Sequence, residues 1–181
     1  MANAKTTILD TCVLLNLAAS DEVADIVSTI RGATFICSAV QKEALFLRDE
    51  AEPAVLVPLN VDDLVAVARI QLCDIETDDE EEHFVKLAAH LDDGEAMSVA
   101  IATSRGMGFA SDDQKARRIF LELVSDSRRL TSTSAIMKLW AATRSIEPQR
   151  LRTALRRIMA RARFKPSQKD PHASWWDSAA A

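Results

Sequence analysis

Polar and apolar positions along the chain fall into blocks of two kinds. Short apolar, β-favouring runs occur at Thr6 to Leu9, Ala33 to Cys37 and Gly108 to Ala110, each stopped by a polar residue: Asp10, Ser38 and Ser111. Between them lie longer stretches with apolar residues at helical spacing. Helices are predicted over Val13 to Ala18, from the Ser20-Asp21 start through Ile30 to the stop at Gly32, and over Val40 to Arg48 behind a Ser38 cap. Further helical stretches run from Asp62 to Leu72, Glu80 to Leu91, Glu95 to Thr103, Gln114 to Leu123, Ser134 to Arg144 and Pro148 to Arg163, where Pro148 suits a first helical turn. Ala54 to Leu59 reads as a further strand, which Pro58 assigns to a sheet edge.

Strands alternating with helices imply an α/β fold, a parallel sheet covered on both faces. At 181 residues, with 48% hydrophobic and 27% charged positions, the chain suits one globular domain. The expected organisation is a domain over residues 1–145, a basic helix over 146–165 belonging to the same domain, and a mobile polar tail over 166–181 with Trp175 and Trp176 as its apolar anchors. Asp10 and Asn16 interrupt the apolar stretch near the N-terminus, which lacks the basic leader of a secretory signal, and no run approaches a membrane span. Cys12, Cys37 and Cys73 are odd in number and embedded in apolar surroundings, so disulfides are not expected and a cytoplasmic location is.

The net charge of -5 conceals a segregation: of 22 Lys and Arg, 11 lie between Arg128 and Lys165, where Glu147 is the only acid. The acids concentrate elsewhere, and several stand where a parallel sheet binds its ligands, outside the carboxyl ends of the strands. Asp10 ends the first strand, Glu43 follows the second near the start of its helix, and Asp112 and Asp113 follow the Phe109 strand. Glu95, behind Asp92 and Asp93, opens another helix. Each acid at a helix start also has an ordinary explanation in capping. Asp10 does not, because it lies between Ile8-Leu9 and Val13-Leu14-Leu15, where an unpaired acid is costly. Carboxylates converging on one crevice repel one another unless a cation neutralises them, and oxygen-only ligation selects Mg²⁺ or Mn²⁺. The acidic run from Asp78 to Glu82 reads as a solvated helix start, and His83 and His90 lack the partners of a metal site.

The order Ile8-Leu9-Asp10-Thr11, Glu43, Asp93-Gly94-Glu95-Ala96 and Ala110-Ser111-Asp112-Asp113 followed by Lys115-Ala116-Arg117 resembles the PIN-domain family, metal-dependent nucleases that include the VapC-type toxins of toxin-antitoxin systems. The match covers about residues 5 to 145. It implies a three-layer α/β/α fold with a parallel sheet of four to five strands, and a carboxylate cluster holding one or two Mg²⁺ or Mn²⁺ ions. By position the acids are Asp10, Glu43, Glu95 and one of Asp112 and Asp113, with Thr11 and Ser111 in support; the family's hydroxyl-x-Asp spacing favours Asp113 as a ligand and leaves Asp112 open. Many members carry Asn or Ser where this chain has Cys12.

The resemblance further implies an endoribonuclease leaving a 5′-phosphate and a 3′-hydroxyl, a homodimer, and, for a toxin, a small antitoxin that inserts a segment into the acidic crevice. An acidic site repels RNA, so phosphate contacts are sought in Arg144, Arg150, Arg152, Arg156, Arg157, Arg161 and Arg163, which serve equally well as a solvated face or an antitoxin-docking surface. Two rivals stand beside this reading: a catalytically silent PIN-like binding module in RNA processing, and a phosphotransfer protein. The latter is either a phosphatase, which wants Asp in place of Cys12, or a receiver domain, which wants an acidic pair ahead of the strand-end Asp and a Lys at a late strand end, all missing where needed.

Overall fold

The computed structural model describes residues 6–181. The sequence expectations for residues 1–5 lie outside them. In chain order the elements are β1 (Thr7–Leu9), α1 (Thr11–Ala19), α2 (Val23–Val27), β2 (Thr34–Cys37), α3 (Ser38–Lys42), β3 (Phe46–Arg48), β4 (Leu56–Pro58) and α4 (Val61–Ala68). There follow β5 (Gln71–Cys73), α5 (Asp78–Ala88), α6 (Asp93–Ser104), β6 (Gly108–Ala110), α7 (Gln114–Leu123), β7 (Leu130–Thr131), α8 (Thr133–Arg144), α9 (Pro148–Arg157) and α10 (Ala173–Ala180), with a π-helical turn over Ile158–Ala162. They make two compact units that interleave in sequence.

The first unit comprises residues 6–13, 30–43 and 69–132. It holds a five-stranded sheet, ordered β5-β2-β1-β6-β7 and parallel throughout, flanked by helices as in the three-layer α/β/α class. Its core gathers Ile8, Leu9, Ile36, Phe109 and Phe120, all fully buried, around α6. That helix buries Ala96, Val99, Ala100, Ile101 and Ala102 with Ser98, and is enclosed almost all round. Its small side chains let it pack on β1, β2 and β6 at once and meet α3, α5 and α7. The guanidinium of Arg129 closes its far end, donating to the carbonyls of Ala102 and Met107 while lying over the Phe120 ring.

The sheet contains two strands beyond the expected ones. The helix predicted over Asp62 to Leu72 stops at Ala68, because Arg69 turns into the left-handed region at φ 54°, and Gln71–Cys73 pairs with Phe35–Cys37 as an edge strand. Leu130–Thr131 adds the opposite edge beside β6. Glu43 also stands differently from expectation. The helix after β2 ends at Lys42, and Glu43 is its extended C-cap at φ -68° and ψ 139°, not a residue of its first turn.

The second unit comprises residues 14–29, 44–68 and 133–181. Phe46–Arg48, expected as the end of a helix, forms an antiparallel hairpin with Leu56–Pro58; Leu45 and Leu47 turn inward while Phe46 faces solvent, the alternation of a strand. The strand expected near Pro58 therefore belongs to this separate two-stranded sheet. Past Lys165, where the polar composition suggested a mobile tail, α10 buries Trp176 completely, edge-on to Phe164 with ring centroids 5.6 Å apart. Among the described residues no helix is long and apolar enough to cross a membrane.

Candidate functional site

The site begins with the register of the sheet. In the parallel pairing of β1 with β6, Ile8 lies opposite Phe109 and Leu9 opposite Ala110, so the next residues out, Asp10 and Ser111, emerge side by side. The backbone N–H of Asp10 extends the ladder to the Ala110 carbonyl at 2.9 Å. β1 is also where the strand order reverses, with β2 on one side and the later β6 on the other, the position outside whose carboxyl end such sheets place their ligands.

Asp10 is 1% exposed. Its Oδ1 accepts from the Thr11 N–H at 2.7 Å, and its Oδ2 accepts from the Ser111 hydroxyl at 2.7 Å and from the Cys12 thiol at 3.2 Å. Burial nevertheless dominates and pushes its pKa up, and Asp92 adds to the effect. Cys12 also accepts the Asp112 N–H at 3.3 Å, so one thiol bridges the loops that leave β1 and β6. Burial and the Asp10 charge hold that thiol well above its usual range, so it stays protonated.

Glu43 is brought in by α3. Its Oε1 accepts from the Thr11 hydroxyl at 3.0 Å and lies against the Cα of Gly94, where a Cβ would collide with it. Glycine at 94 therefore gives the Glu43 carboxylate its place. Burial raises the pKa of Glu43, and Asp92, Asp10 and Asp93 raise it further. Glu95 sits in the first turn of α6, where its N–H is capped by Asp92 Oδ1 at 3.0 Å. Its carboxyl is pushed up to about 7 by burial first, then by the charges of Asp92, Asp10 and Asp113. A helix N-terminus ordinarily favours an ionised acid. Here desolvation and crowding win.

Asp113 caps α7, its Oδ1 accepting from the N–H groups of Lys115 and Ala116 at 2.8 Å each. Its own N–H donates to the Ser111 hydroxyl at 3.1 Å. Arg117 fixes the same loop by donating to the carbonyls of Ser111 and Thr131. Asp112 stands half-buried beside them. Thus Asp10, Glu43, Glu95 and Asp113 all belong to one electrostatically coupled group, with Thr11 and Ser111 as hydroxyl donors to it. Sequence reading gave Asp92 only a position ahead of Glu95. The structure couples it to Asp10, Glu43 and Glu95 alike, and the acidic doublet before Gly94 was the signal available.

The carboxylates of Asp10, Glu43, Glu95 and Asp113 offer oxygen donors only and raise one another's cost of ionisation, which suits a hard divalent cation. It is not a preformed cage: among the described residues no three acidic, His or Cys side chains already stand together as a chelating group.

The arginines raised as RNA contacts lie in the second unit and are largely spent inside it. Arg150 holds Glu22 and Asp25 while stacking over Trp140, Arg144 pairs with Asp25, and Arg157 pairs with Asp21 and Glu50. Arg161 pairs with Asp21, Arg156 donates to the carbonyls of Ala180 and Ala181, and Arg152 donates to Gln149. Asp21, Glu22, Asp25 and Glu50 are the acids that sequence reading left out of account there.

A parallel sheet with a crowded carboxylate cluster at its switch point defines an α/β protein built to gather negative charge at one edge. Over residues 6–166 the chain matches the family model described as PIN domain, and it belongs to that family, whose members are generally nucleases. Comparison with curated proteins and with solved structures returns no significant match.

Proposed function

We propose that the protein is a divalent-metal-dependent endoribonuclease acting through the Asp10 crevice, and that it serves as the toxin of a toxin-antitoxin pair. The observation that carries this reading is Glu95, a carboxyl held near pH 7 by burial and by three neighbouring aspartates at the carboxyl edge of a PIN sheet. Such crowding is unfavourable for folding alone and becomes useful when a cation occupies the site. Asp10, Glu95 and Asp113, with Asp112 as an alternative to Asp113, are the residues to hold Mg²⁺ or Mn²⁺, and Glu43 holds a second ion or orients water. A bound ion of this kind lowers the pKa of water and stabilises charge on the phosphate.

The chain's own residues set the conditions for that chemistry. Ser111 and Thr11 keep Asp10 and Glu43 aimed, the Cys12 thiol ties the β1 and β6 exit loops together, and Arg117 fixes the Ser111 carbonyl. The choice of RNA, the antitoxin and the homodimer follow from the family alone, and the cytoplasmic location from the cysteine usage. A second reading, a silent PIN-like binding module, draws support from Asp113, whose Oδ1 is already committed to capping α7.

Incubating single-stranded and structured RNAs with wild-type and Asp10→Asn protein in Mg²⁺, Mn²⁺ or EDTA separates the two. Cleavage that requires the metal and is lost in the variant supports the nuclease. No cleavage, with RNA still bound, supports the module.

A further inference from the structure

Beside the carboxylates, within the first unit, a cavity of about 490 Å³ opens between α3, α5 and the start of α6. Its walls are unlike the acidic crevice. Phe84 from α5, Met97 from α6 and Ala39 from α3 make an apolar surface, and Gly94 lines it while leaving the Glu43 carboxylate its place. Glu43 and Asp92 belong to both the cavity and the carboxylate cluster, so the two are continuous. Lys42 stands on the rim, exposed and engaged in no ion pair among the described residues. Its contrast with the paired arginines of the second unit is direct.

We propose that this cavity is a nucleobase subsite, receiving one unpaired base of an RNA strand whose neighbouring phosphate lies at the Asp10 crevice. The proposal deepens the nuclease reading and rests on it for the identity of the strand. The volume falls within the range of small-ligand pockets. An aromatic ring and a polarisable thioether suit the face of a base, and aromatic stacking holds single strands with little dependence on sequence. Lys42 supplies the cation that an otherwise acidic edge needs in order to keep a phosphate near it. The remaining polar groups, Asp92, Asp93 and Glu43, carry carboxylate acceptors. They favour bases with an exocyclic amine, namely adenine, guanine and cytosine, over uracil. A double-stranded segment is excluded, since its bases are stacked away from any such cavity.

The test measures binding and cleavage separately. Binding of a fluorescein-labelled mixed-sequence RNA of about ten nucleotides is followed by anisotropy with Ca²⁺ and with EDTA, and cleavage of the same RNA is followed with Mg²⁺. Phe84→Ala and Lys42→Ala are each expected to weaken binding about tenfold, and Phe84→Tyr to restore it. Oligouridine is expected to bind more weakly than oligoadenosine to wild type, and the difference to shrink in Phe84→Ala. Weakened binding in the alanine variants, with no cleavage by wild type in Mg²⁺ or, in a parallel assay, Mn²⁺, leaves the subsite standing and removes the nuclease. Metal-dependent cleavage with binding unchanged in both alanine variants removes the subsite and leaves the nuclease. Wild-type protein that binds no RNA overturns the subsite outright.

Discussion

Two helices of the first unit start with the same local grammar and reach opposite electrostatic ends. At α5, Thr77 caps the N–H of Glu80 at 3.2 Å; at α6, Asp92 caps the N–H of Glu95 at 3.0 Å. Both glutamates occupy the third position of their helix. Glu80 is 3% exposed and meets Arg105, which donates from Nε to Oε1 at 2.7 Å and from Nη2 to Oε2 at 2.9 Å, and the Glu76 N–H donates to it as well. Its pKa falls to about 2, with the Arg105 hydrogen bonds as the largest cause. Glu95 is pushed up to about 7 by burial and by the charges of Asp92, Asp10 and Asp113, which outweigh a hydrogen bond from the Asp92 backbone. A capping signature fixes where a carboxylate sits. The partner across the fold decides whether that carboxylate is structural or available for chemistry. The Arg-rich α9 repeats the lesson with the sign reversed: Arg150 and Arg157 look available in sequence and are paired with Asp21, Glu22, Asp25 and Glu50.

The largest expected effect is on catalysis. Asp10→Asn should lower RNA cleavage on the order of 10²- to 10³-fold, the loss typical of removing one preorganised electrostatic group. Its melting temperature should be unchanged or higher, because the variant removes a buried charge. Next comes stability at the paired glutamate. Glu80→Gln should cost about 1 to 2 kcal/mol in denaturant titration, since Arg105 loses its two-point partner and keeps only Glu76 and the Asp74 carbonyl. Cleavage measured well below the melting temperature should stay intact. Glu80's folded pKa is depressed, so its contribution is fully present above about 4.5, the unperturbed value, and is lost as the pH falls toward about 2.

Glu95 should show the reverse linkage. Its folded pKa is raised, so metal-free protein binds an extra proton relative to the unfolded chain between the unperturbed 4.5 and about 7, and stability drops as the pH rises through that window. Melting curves in EDTA should therefore fall from pH 5 to pH 8 in wild type and flatten in Glu95→Gln. Gly94→Ala should displace the Glu43 carboxylate from Thr11 and reduce cleavage by about tenfold, as loss of a supporting contact at a metal site does. The smallest effect belongs to the paired cations. Arg150→Ala should change RNA affinity less than about twofold, because its guanidinium serves Glu22 and Asp25, and should leave the salt dependence of binding unaltered.

The legible part of this molecule was the part written in local pattern. β1, β2 and β6 are short apolar runs with polar stops, and the acids that follow them converge because parallel strands put their carboxyl ends on one edge. The edge strands were not legible. β7 has only two residues, and β5 continues a helix-like run whose break is an arginine in the left-handed region, where glycine or asparagine would have been a visible stop. Nor does the segment from Val40 to Arg48 contain glycine or proline to mark where α3 gives way to β3. Its alternation of buried Leu45 and Leu47 with exposed Phe46 has meaning only once the hairpin with β4 exists. The fate of Arg144, Arg150, Arg157 and Arg161 was hidden because their acidic partners lie more than a hundred residues earlier in the chain.

The central claim is that the carboxylates around Asp10 form a cation site. Calorimetric titration of Mn²⁺ into metal-free protein at pH 7.5 tests it most directly, with Asp10→Asn and Glu80→Gln titrated alongside. Saturable binding in wild type and in Glu80→Gln, lost in Asp10→Asn, is the predicted result. No saturable binding in wild type, or binding that survives Asp10→Asn unchanged, would contradict the account.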